Sequence, residues 1–286
     1  MTNLILGTAT FGTGYGVANN GVRLNHKEVR QIVSTAQRLG INEFDTAPSY
    51  GKAEIQLGEF LDQRLEPKVS SKISKDNSLT VKLMLKSVKD SLKKTKASRL
   101  ANLYLHDPEA LSGSKASEIM LGFKEILALG LVDRIGVSVY SIDSLLKSKE
   151  IFPELTVFQV PENICDRRML DSSELIALAS EDNHFIVRSI FLQGLLLMSL
   201  DDVPPKLEGS KPALAKLKVL ADSYEVTTLD LCLSYGRSIP WAKGIIIGSA
   251  SVLQLLQIAE SKIQLPFEWY SKIDTIPEEI LDPRRW

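Results

Sequence analysis

The chain has 286 residues, and its 34 Lys and Arg against 35 Asp and Glu leave a net charge of −1, which excludes the strongly basic surface typical of proteins that bind nucleic acid or anionic lipid. Its two cysteines, Cys165 and Cys232, are too few for a disulfide framework or a cysteine-rich metal site. Because no apolar run reaches the roughly 18 residues of a membrane span, the composition predicts a cytoplasmic protein without a membrane or nucleic-acid partner.

Short apolar runs alternate with longer amphipathic segments, a pattern typical of βαβ units and a parallel sheet. The predicted strands, in chain order, are LILGTAT (4–10), INEF (41–44), VSSKI (69–73), ANLYLH (101–106), IGVSVY (135–140), TVFQV (156–160), FIVRSI (185–190) and GIIIG (244–248). Eight strands are the number that closes a barrel. The pattern predicts an α/β fold of the (β/α)8 TIM-barrel class, with residues 1–286 forming a single domain.

Four of the intervening segments carry a clear apolar stripe at helical spacing. The first stripe begins after Asn25, which is predicted to form a capping box with Glu28, and Gly40 stands where a glycine ends a helix. The other three stripes are 81–92, 119–127, which Gly130 ends, and 252–259, which follows Ser251. These segments are predicted to be the outer helices of the barrel.

Titratable side chains stand at the carboxyl ends of consecutive predicted strands, where barrels of this class gather their reactive groups. Asp45 and Tyr50 follow the second strand, Lys72 lies in the third, and His106 ends the fourth. Each has an ordinary structural interpretation when taken alone: a turn former, a loop aromatic, a paired lysine and a core histidine. Their placement on neighbouring strands favours a shared catalytic role.

These four side chains form a complete acid constellation that needs no metal. Reduction of a carbonyl by hydride transfer leaves negative charge on oxygen, so a proton must be supplied there. Free tyrosine is a poor acid at neutral pH, but a nearby lysine cation favours the phenolate and makes tyrosine a better donor. We expect Asp45 to pair with Lys72 and offset the burial of its charge, and His106 to orient the substrate oxygen or Tyr50.

The segment FDTAPSYGKAEIQLGEFL resembles the strongest signature of the aldo-keto reductase family, with aspartate and tyrosine separated by four residues and then Gly, Glu and Leu-Gly. VSSKIS is similar to the family's lysine strand and YLHDP to its histidine strand. The resemblance implies a (β/α)8 barrel that transfers a hydride reversibly between a nicotinamide cofactor and a small-molecule aldehyde or ketone. It also implies that Tyr50 is the proton donor and that Lys72, Asp45 and His106 assist it.

The same resemblance implies a cofactor site. GVSVYS is similar to the segment whose serine, here Ser138, holds the nicotinamide carboxamide, and Gln159 matches the carboxamide glutamine. Arg188 replaces the aromatic residue that commonly stacks on the nicotinamide; a guanidinium plane also stacks on rings, and a surface ion pair is the alternative. The implied cofactor contacts are Gly7, Thr8, Asp45, Ser138, Gln159, Arg188, Ser189, Gly194, Gly248, Ser249 and Gln254.

The segment IIIGSASVLQLLQIAE stands where the family binds the adenosine 2′-phosphate. A helix N-terminus after Gly248 and Ser249 suits an anion, but Ala250 and Gln254 replace the arginines often found there. We therefore expect NADPH as the cofactor, with NADH as a close alternative.

The glycines of FGTGYG (11–16) do not have the spacing of a dinucleotide-binding fingerprint. This segment is predicted to be a loop over the substrate side of the barrel. The predicted substrate contacts are Phe11, Tyr15, Tyr50, His106 and Tyr140.

Two other functions fit the same barrel. One is a non-catalytic, cofactor-sensing subunit that regulates a partner protein. The other is a metal-dependent hydrolase, but His26 falls at a helix start and His184 at the amino-terminal end of a strand, which leaves no histidine or carboxylate cluster to hold a metal.

Overall fold

The computed structural model describes residues 2–19, 21–74, 79–179 and 182–286, and within them a closed barrel of parallel strands. The strands are β1 (Asn3–Gly7), β2 (Glu43–Asp45), β3 (Lys68–Ile73), β4 (Leu100–Leu105), β5 (Val132–Ser138), β6 (Val157–Pro161), β7 (His184–Arg188) and β8 (Ala242–Gly248). Each strand pairs with its neighbours in sequence, and β8 closes the barrel onto β1. The predicted (β/α)8 TIM barrel is confirmed.

Helices surround the barrel and connect its strands. They are α1 (Ala9–Gly12), α2 (His26–Arg38), α3 (Ala53–Phe60), α4 (Val81–Thr95), α5 (Ala116–Ala128), α6 (Ile142–Ile151), α7 (Ser173–Ala179), α8 (Lys211–Ser223), α9 (Thr228–Ser238), α10 (Val252–Glu260) and α11 (Glu278–Leu281). Within the described parts of the chain, no helix combines the length and the apolar character needed to cross a bilayer.

The helix ends follow the capping signals in the sequence. The Asn25 side chain accepts a hydrogen bond from the Glu28 amide at 3.0 Å, and the Glu28 carboxylate accepts one from the Asn25 amide at 2.7 Å. After α2, Gly40 adopts a left-handed φ of +79°, a conformation that glycine takes without steric cost. The predicted capping box and terminal glycine are confirmed.

Three strands, β1, β2 and β7, are shorter than predicted, and backbone hydrogen bonds account for the first two. β1 ends at Gly7 because Thr8 already begins the tight turn of α1, in which its carbonyl accepts a hydrogen bond from the Phe11 amide at 3.0 Å. β2 begins at Glu43 because the amide of Ile41 is still bonded to the Ala36 carbonyl at the end of α2. In both places a local turn takes the backbone groups that a longer strand would need.

The barrel has an apolar layer in its interior and a larger apolar layer between strands and helices. The interior layer consists of Ile5, Tyr104, Val157 and Ile186, with Ile246 packed against them. Successive residues of a strand point to opposite faces, so the residue two positions after Tyr104, His106, stands above this layer. This apolar layer therefore lies directly below any site at the carboxyl ends of the strands.

Candidate active site

A cleft of about 1500 Å³ opens at the carboxyl ends of the strands. Its inner end is lined by Asp45, Tyr50, Lys72 and His106, and it continues past the ends of β7 and β8 to the start of α10. All four residues predicted to form the acid constellation thus line one cavity. This is the face of a (β/α)8 barrel on which active sites are built.

A tight turn brings Asp45 and Tyr50 together. Asp45 is the last residue of β2, and the Tyr50 amide donates to the Ala47 carbonyl at 3.0 Å, which folds the chain back over the strand end. Gly51 follows in a left-handed conformation with φ +60°. The Tyr50 ring is half-buried and faces the cleft, while the Asp45 side chain is buried beneath it.

Lys72 and Asp45 form a buried ion pair. Lys72 Nζ lies 2.6 Å from Asp45 Oδ1 and donates a second hydrogen bond to the Thr46 carbonyl at 3.0 Å. The two side chains are only 2% and 6% exposed. Because a buried ammonium is costly without a partner, Asp45 is what allows Lys72 to remain charged at this depth.

The charge of Lys72 is directed at Tyr50. Its ammonium lies 5.1 Å from the centre of the Tyr50 ring. Burial by itself lowers the pKa of Lys72, but the charge of Asp45 and the interactions with Tyr50 outweigh burial and raise the pKa above its usual value. Lys72 is therefore a cation at neutral pH, held beside the phenol.

His106 also lines the inner end of the cleft and is half-buried. Its amide continues the strand pairing by donating to the Ile73 carbonyl at 3.1 Å. Burial, and next the positive charge of Lys72, lower the pKa of His106 below its usual value. Its imidazole is therefore neutral at pH 7, with one N–H available as a hydrogen-bond donor.

Gln159 and Tyr104 complete the polar layer around the ion pair. Gln159 Nε2 donates to the second oxygen of Asp45 at 2.5 Å, which links β6 to β2 across the barrel. The ring of Tyr104 lies 6.0 Å from the Lys72 ammonium, and its hydroxyl is hydrogen-bonded to Gln159. Tyr104 was not among the predicted site residues. Side chains two residues apart on a strand point to the same face, so its position two residues before His106 indicates the barrel interior.

Ser138 and Arg188 stand at the ends of β5 and β7, next to the inner end of the cleft. Ser138 is buried beside Gln159 in the paired strands. The guanidinium of Arg188 lies 4.0 Å from the centre of the Tyr140 ring, and its Nη2 donates to the Val139 carbonyl at 2.8 Å. The predicted contact residues on these two strands thus face the same space as the acid constellation.

The loop after β7 holds several non-glycine residues in left-handed backbone conformations. Ser189, Leu192 and Gln193 have φ values of 65°, 45° and 57°, and Gly194 follows at 91°. Such conformations cost free energy for residues with a Cβ and are concentrated at functional sites. Ser189, Gln193 and Gly194 line the cleft, so this strained loop shapes its wall.

The far end of the cleft lies at the start of α10. Ser251 caps the helix by accepting from the Gln254 amide at 3.2 Å, and Gln254 Oε1 in turn accepts from the Ala250 amide at 2.8 Å. Gly248 and Ser249 line the same wall. The chain's own side chains therefore already satisfy part of the donor set of this helix start.

The predicted substrate contacts divide into two groups. Tyr15, Tyr50, His106 and Tyr140 line the cleft. The hydroxyl of Tyr15 is desolvated even though 45% of the residue is exposed, and this desolvation raises its pKa to about 12. Phe11, in contrast, is 2% exposed and packs in the core between strands and helices, so its ring does not reach the cleft.

The described residues hold no group of three or more histidine, cysteine or acidic side chains arranged to bind a metal ion. His26 pairs instead with Glu59 at 2.6 Å on the surface, and both cysteines are buried and unpaired.

Comparison with known proteins gives a consistent family. The model of the aldo/keto reductase family matches residues 3–278. An uncharacterized oxidoreductase of Mycobacterium tuberculosis is 29% identical over 283 residues, which cover 91% of this chain and 84% of that protein. The D-threo-aldose 1-dehydrogenase of a Pseudomonas species is 25% identical over 303 residues, covering 91% of this chain and 92% of the relative.

Among solved structures, the glycerol dehydrogenase of Gluconobacter oxydans superposes with a TM-score of 0.71 at 18% identity. The match covers 94% of this chain and 89% of that chain. At this level of identity the likeness shows a common fold, and it agrees with the closed barrel described above.

Proposed function

Because the chain belongs to the aldo/keto reductase family of oxidoreductases, we propose that it transfers a hydride reversibly between NADPH or NADH and a small aldehyde or ketone. The observation that carries this proposal is the buried Lys72–Asp45 ion pair, whose ammonium lies 5.1 Å from the centre of the Tyr50 ring at the floor of the cleft. Such a charge beside a phenol favours its ionised form and makes the phenol a better proton donor.

Each residue of the constellation has a distinct role in this proposal. Tyr50 gives a proton to the carbonyl oxygen during reduction and takes it back during oxidation. Lys72 stabilises the phenolate that remains, and Asp45 fixes Lys72 and balances its charge. Neutral His106 donates a hydrogen bond to the substrate oxygen and so orients the carbonyl next to Tyr50.

The residues present fit a nicotinamide dinucleotide. When bound, this cofactor supplies or accepts the hydride. Ser138 and Gln159 offer a hydroxyl and an amide at the inner end for its carboxamide, and the guanidinium plane of Arg188 offers a face for stacking. The other residues proposed to hold it are Gly7, Thr8, Asp45, Ser189, Gly194, Gly248, Ser249 and Gln254, all of which line the cleft.

NADPH is proposed as the cofactor, with NADH as the alternative. Lys262 lines the cleft near α10 and offers a positive charge for a 2′-phosphate. Ala250 and Gln254 carry none, and the Ala250 amide already has an acceptor in Gln254. The charge available at this end therefore favours NADPH only modestly.

The test combines binding and turnover. Calorimetric titration of the purified protein with NADPH and with NADH is expected to give saturable binding of at least one of them. Tyr50→Phe is expected to lower the rate of aldehyde reduction by about 100- to 10,000-fold while leaving cofactor binding intact. Tyr224→Phe, which removes the same hydroxyl from a ring outside the cleft lining, serves as the control.

Two results would contradict the proposal. Absence of binding of either cofactor at millimolar concentration would remove the hydride donor. Turnover unchanged by Tyr50→Phe would remove the proton donor and favour a subunit that senses the cofactor without catalysis.

A further inference from the structure

The ring of Tyr140 is stacked between two guanidinium groups at the rim of the cleft. Arg188, at the end of β7, lies 4.0 Å from the ring centre, and Arg284, in the C-terminal segment, lies 3.7 Å from it. Residues from three distant parts of the sequence therefore meet beside the catalytic end of the cleft. Stacking of this kind fixes the plane of a guanidinium and leaves the N–H donors at its edges.

The two arginines differ in how their charge is compensated. Arg284 forms a bidentate pair with Asp282, with Nε–Oδ1 and Nη2–Oδ2 distances of 2.9 and 2.6 Å. Arg188 instead donates to two neutral oxygens, the Val139 carbonyl at 2.8 Å and the Ser189 hydroxyl at 3.2 Å. In the described parts of the chain, no carboxylate lies within 4.0 Å of a nitrogen of Arg188.

Arg188 also lines the cleft, whereas Arg284 does not. The guanidinium of Arg188 is half-buried, and its Nε is fully enclosed without a hydrogen-bond partner. A partly desolvated charge with only neutral acceptors is unfavourable unless an anion joins it. Each Nη retains one N–H beyond the bond it already makes, which is the donor arrangement that binds two oxygens of one anion.

The groups around Arg188 leave this charge unbalanced. Lys72 and Asp45 neutralise each other at 2.6 Å. His106 is neutral at pH 7, because burial and the charges of Lys72 and Arg188 lower its pKa. The charge of Asp107 raises the pKa of Arg284, the other guanidinium that stacks on Tyr140.

We propose that Arg188, held in place by Tyr140 and Arg284, binds an oxyanion of the substrate, so that the enzyme acts on aldehydes or ketones that carry a carboxylate or phosphate group. This inference rests on the proposed function, because it places the anion next to the carbonyl that Tyr50 and His106 would engage. It assigns to Arg188 a role in selecting the substrate in addition to its contact with the cofactor.

The experiment compares matched pairs of substrates that differ in the anion. Succinic semialdehyde is compared with butanal, and glyceraldehyde phosphate with glyceraldehyde, so that the two arms separate carboxylate from phosphate. Arg188→Met removes the charge and keeps the length of the side chain, and Arg188→Lys keeps the charge without the fork. Arg64→Met is the control, because Arg64 lies outside the cleft, where it forms a bidentate pair with Asp62.

The native enzyme is expected to have the higher kcat/KM for the charged member of at least one pair. Arg188→Met is expected to lower that preference by about 10- to 100-fold, mainly through KM of the charged substrate. Arg188→Lys should retain an intermediate preference, and Arg64→Met should keep the native one. In the same variants, the Kd of the cofactor is measured by calorimetry.

Three outcomes are decisive. Equal use of charged and neutral substrates by the native enzyme would overturn the proposal. So would an Arg188→Met variant that binds the cofactor weakly and loses activity on both members of a pair equally, since Arg188 would then be a cofactor contact only. If no aldehyde is turned over, the proposed function fails, and the anion site is then tested by titrating the cofactor-loaded protein with succinate and glycerol phosphate. Binding of either anion that is lost in Arg188→Met supports the anion site. Absence of binding to the native protein overturns it.

Discussion

The backbone of Gly12 passes directly against the turn that carries Tyr50. A Cβ at residue 12 would lie 1.8 Å from the Tyr50 carbonyl oxygen, and a Cβ at Gly51 would lie 2.7 Å from the Gly12 carbonyl oxygen. The glycine-rich segment 11–16 thus packs on the turn that carries Tyr50, because Gly12 and Gly51 meet backbone to backbone. The absence of side chains at both positions is what allows Tyr50 to sit at the floor of the cleft.

Gly12→Ala is therefore expected to impair catalysis through the position of Tyr50. A backbone oxygen 1.8 Å from the new methyl group must move, and a displacement of about 1 Å in a catalytic group lowers rates by roughly 100-fold. We expect kcat to fall while the Kd of the cofactor, measured by calorimetry, changes little. Gly113→Ala is the control, because the nearest atom to its Cβ is 3.5 Å away. An unchanged kcat in Gly12→Ala would show that the turn shifts without consequence.

Removing the cation of the buried pair is expected to destabilise the fold. Lys72→Met leaves the Asp45 carboxyl group buried with the Gln159 amide but without a cation, which costs about 3–5 kcal/mol of unfolding free energy. The control is Lys68→Met on the same strand, since Lys68 is 65% exposed and pairs with Glu43 at 3.3 Å, so its loss costs about 1 kcal/mol or less. Urea unfolding of both variants gives the comparison. Equal losses in the two would mean that Asp45 finds other compensation.

The residues proposed to be catalytic could be placed on one rim of the barrel from the sequence, because each carries a local signal. Lys72 stands out in a strand of apolar and small residues, and His106 and Asp45 fall at strand ends. In a barrel of parallel strands, those ends meet on one face whatever the details of packing. Tyr104 was open to the same argument, since side chains two apart on a strand share a face.

Other features depend on packing between distant segments and left no local signal. Phe11 lies on a four-residue helix, and only its neighbours determine that its ring enters the core rather than the cleft. The contact of Arg284 with Tyr140 requires the C-terminal segment to return to the end of β5. Neither the periodicity nor the charge pattern of residues 278–286 indicates where that segment packs.

His106 is expected to make the stability of the protein fall at mildly acidic pH. Its folded pKa is lowered from 6.5, first by burial and then by the charge of Lys72. Below pH 6.5 the unfolded chain therefore binds more protons than the folded one, so stability decreases as the pH falls toward the folded pKa, and it is retained above pH 6.5. This site contributes at most about 1.4 kcal/mol per pH unit. The prediction is checked by urea unfolding of the native protein and of His106→Gln between pH 5 and 8. The variant should lose less unfolding free energy on acidification. Parallel plots of unfolding free energy against pH would contradict the lowered pKa of His106.

The start of α10 offers a way to change cofactor preference. Gln254→Arg adds a positive charge at this end of the cleft and frees the Ala250 amide, which now donates to Gln254 at 2.8 Å. Both changes favour an anion, so we expect NADPH to bind about 10-fold more tightly while NADH binding stays nearly constant. The gain should shrink as salt is added, because the new charge is exposed to solvent. Leu253→Arg is the matched control: Leu253 is 66% exposed on the same helix and does not line the cleft. Equal tightening of both cofactors, or the same gain in the control, would show that the 2′-phosphate is not bound at this helix start.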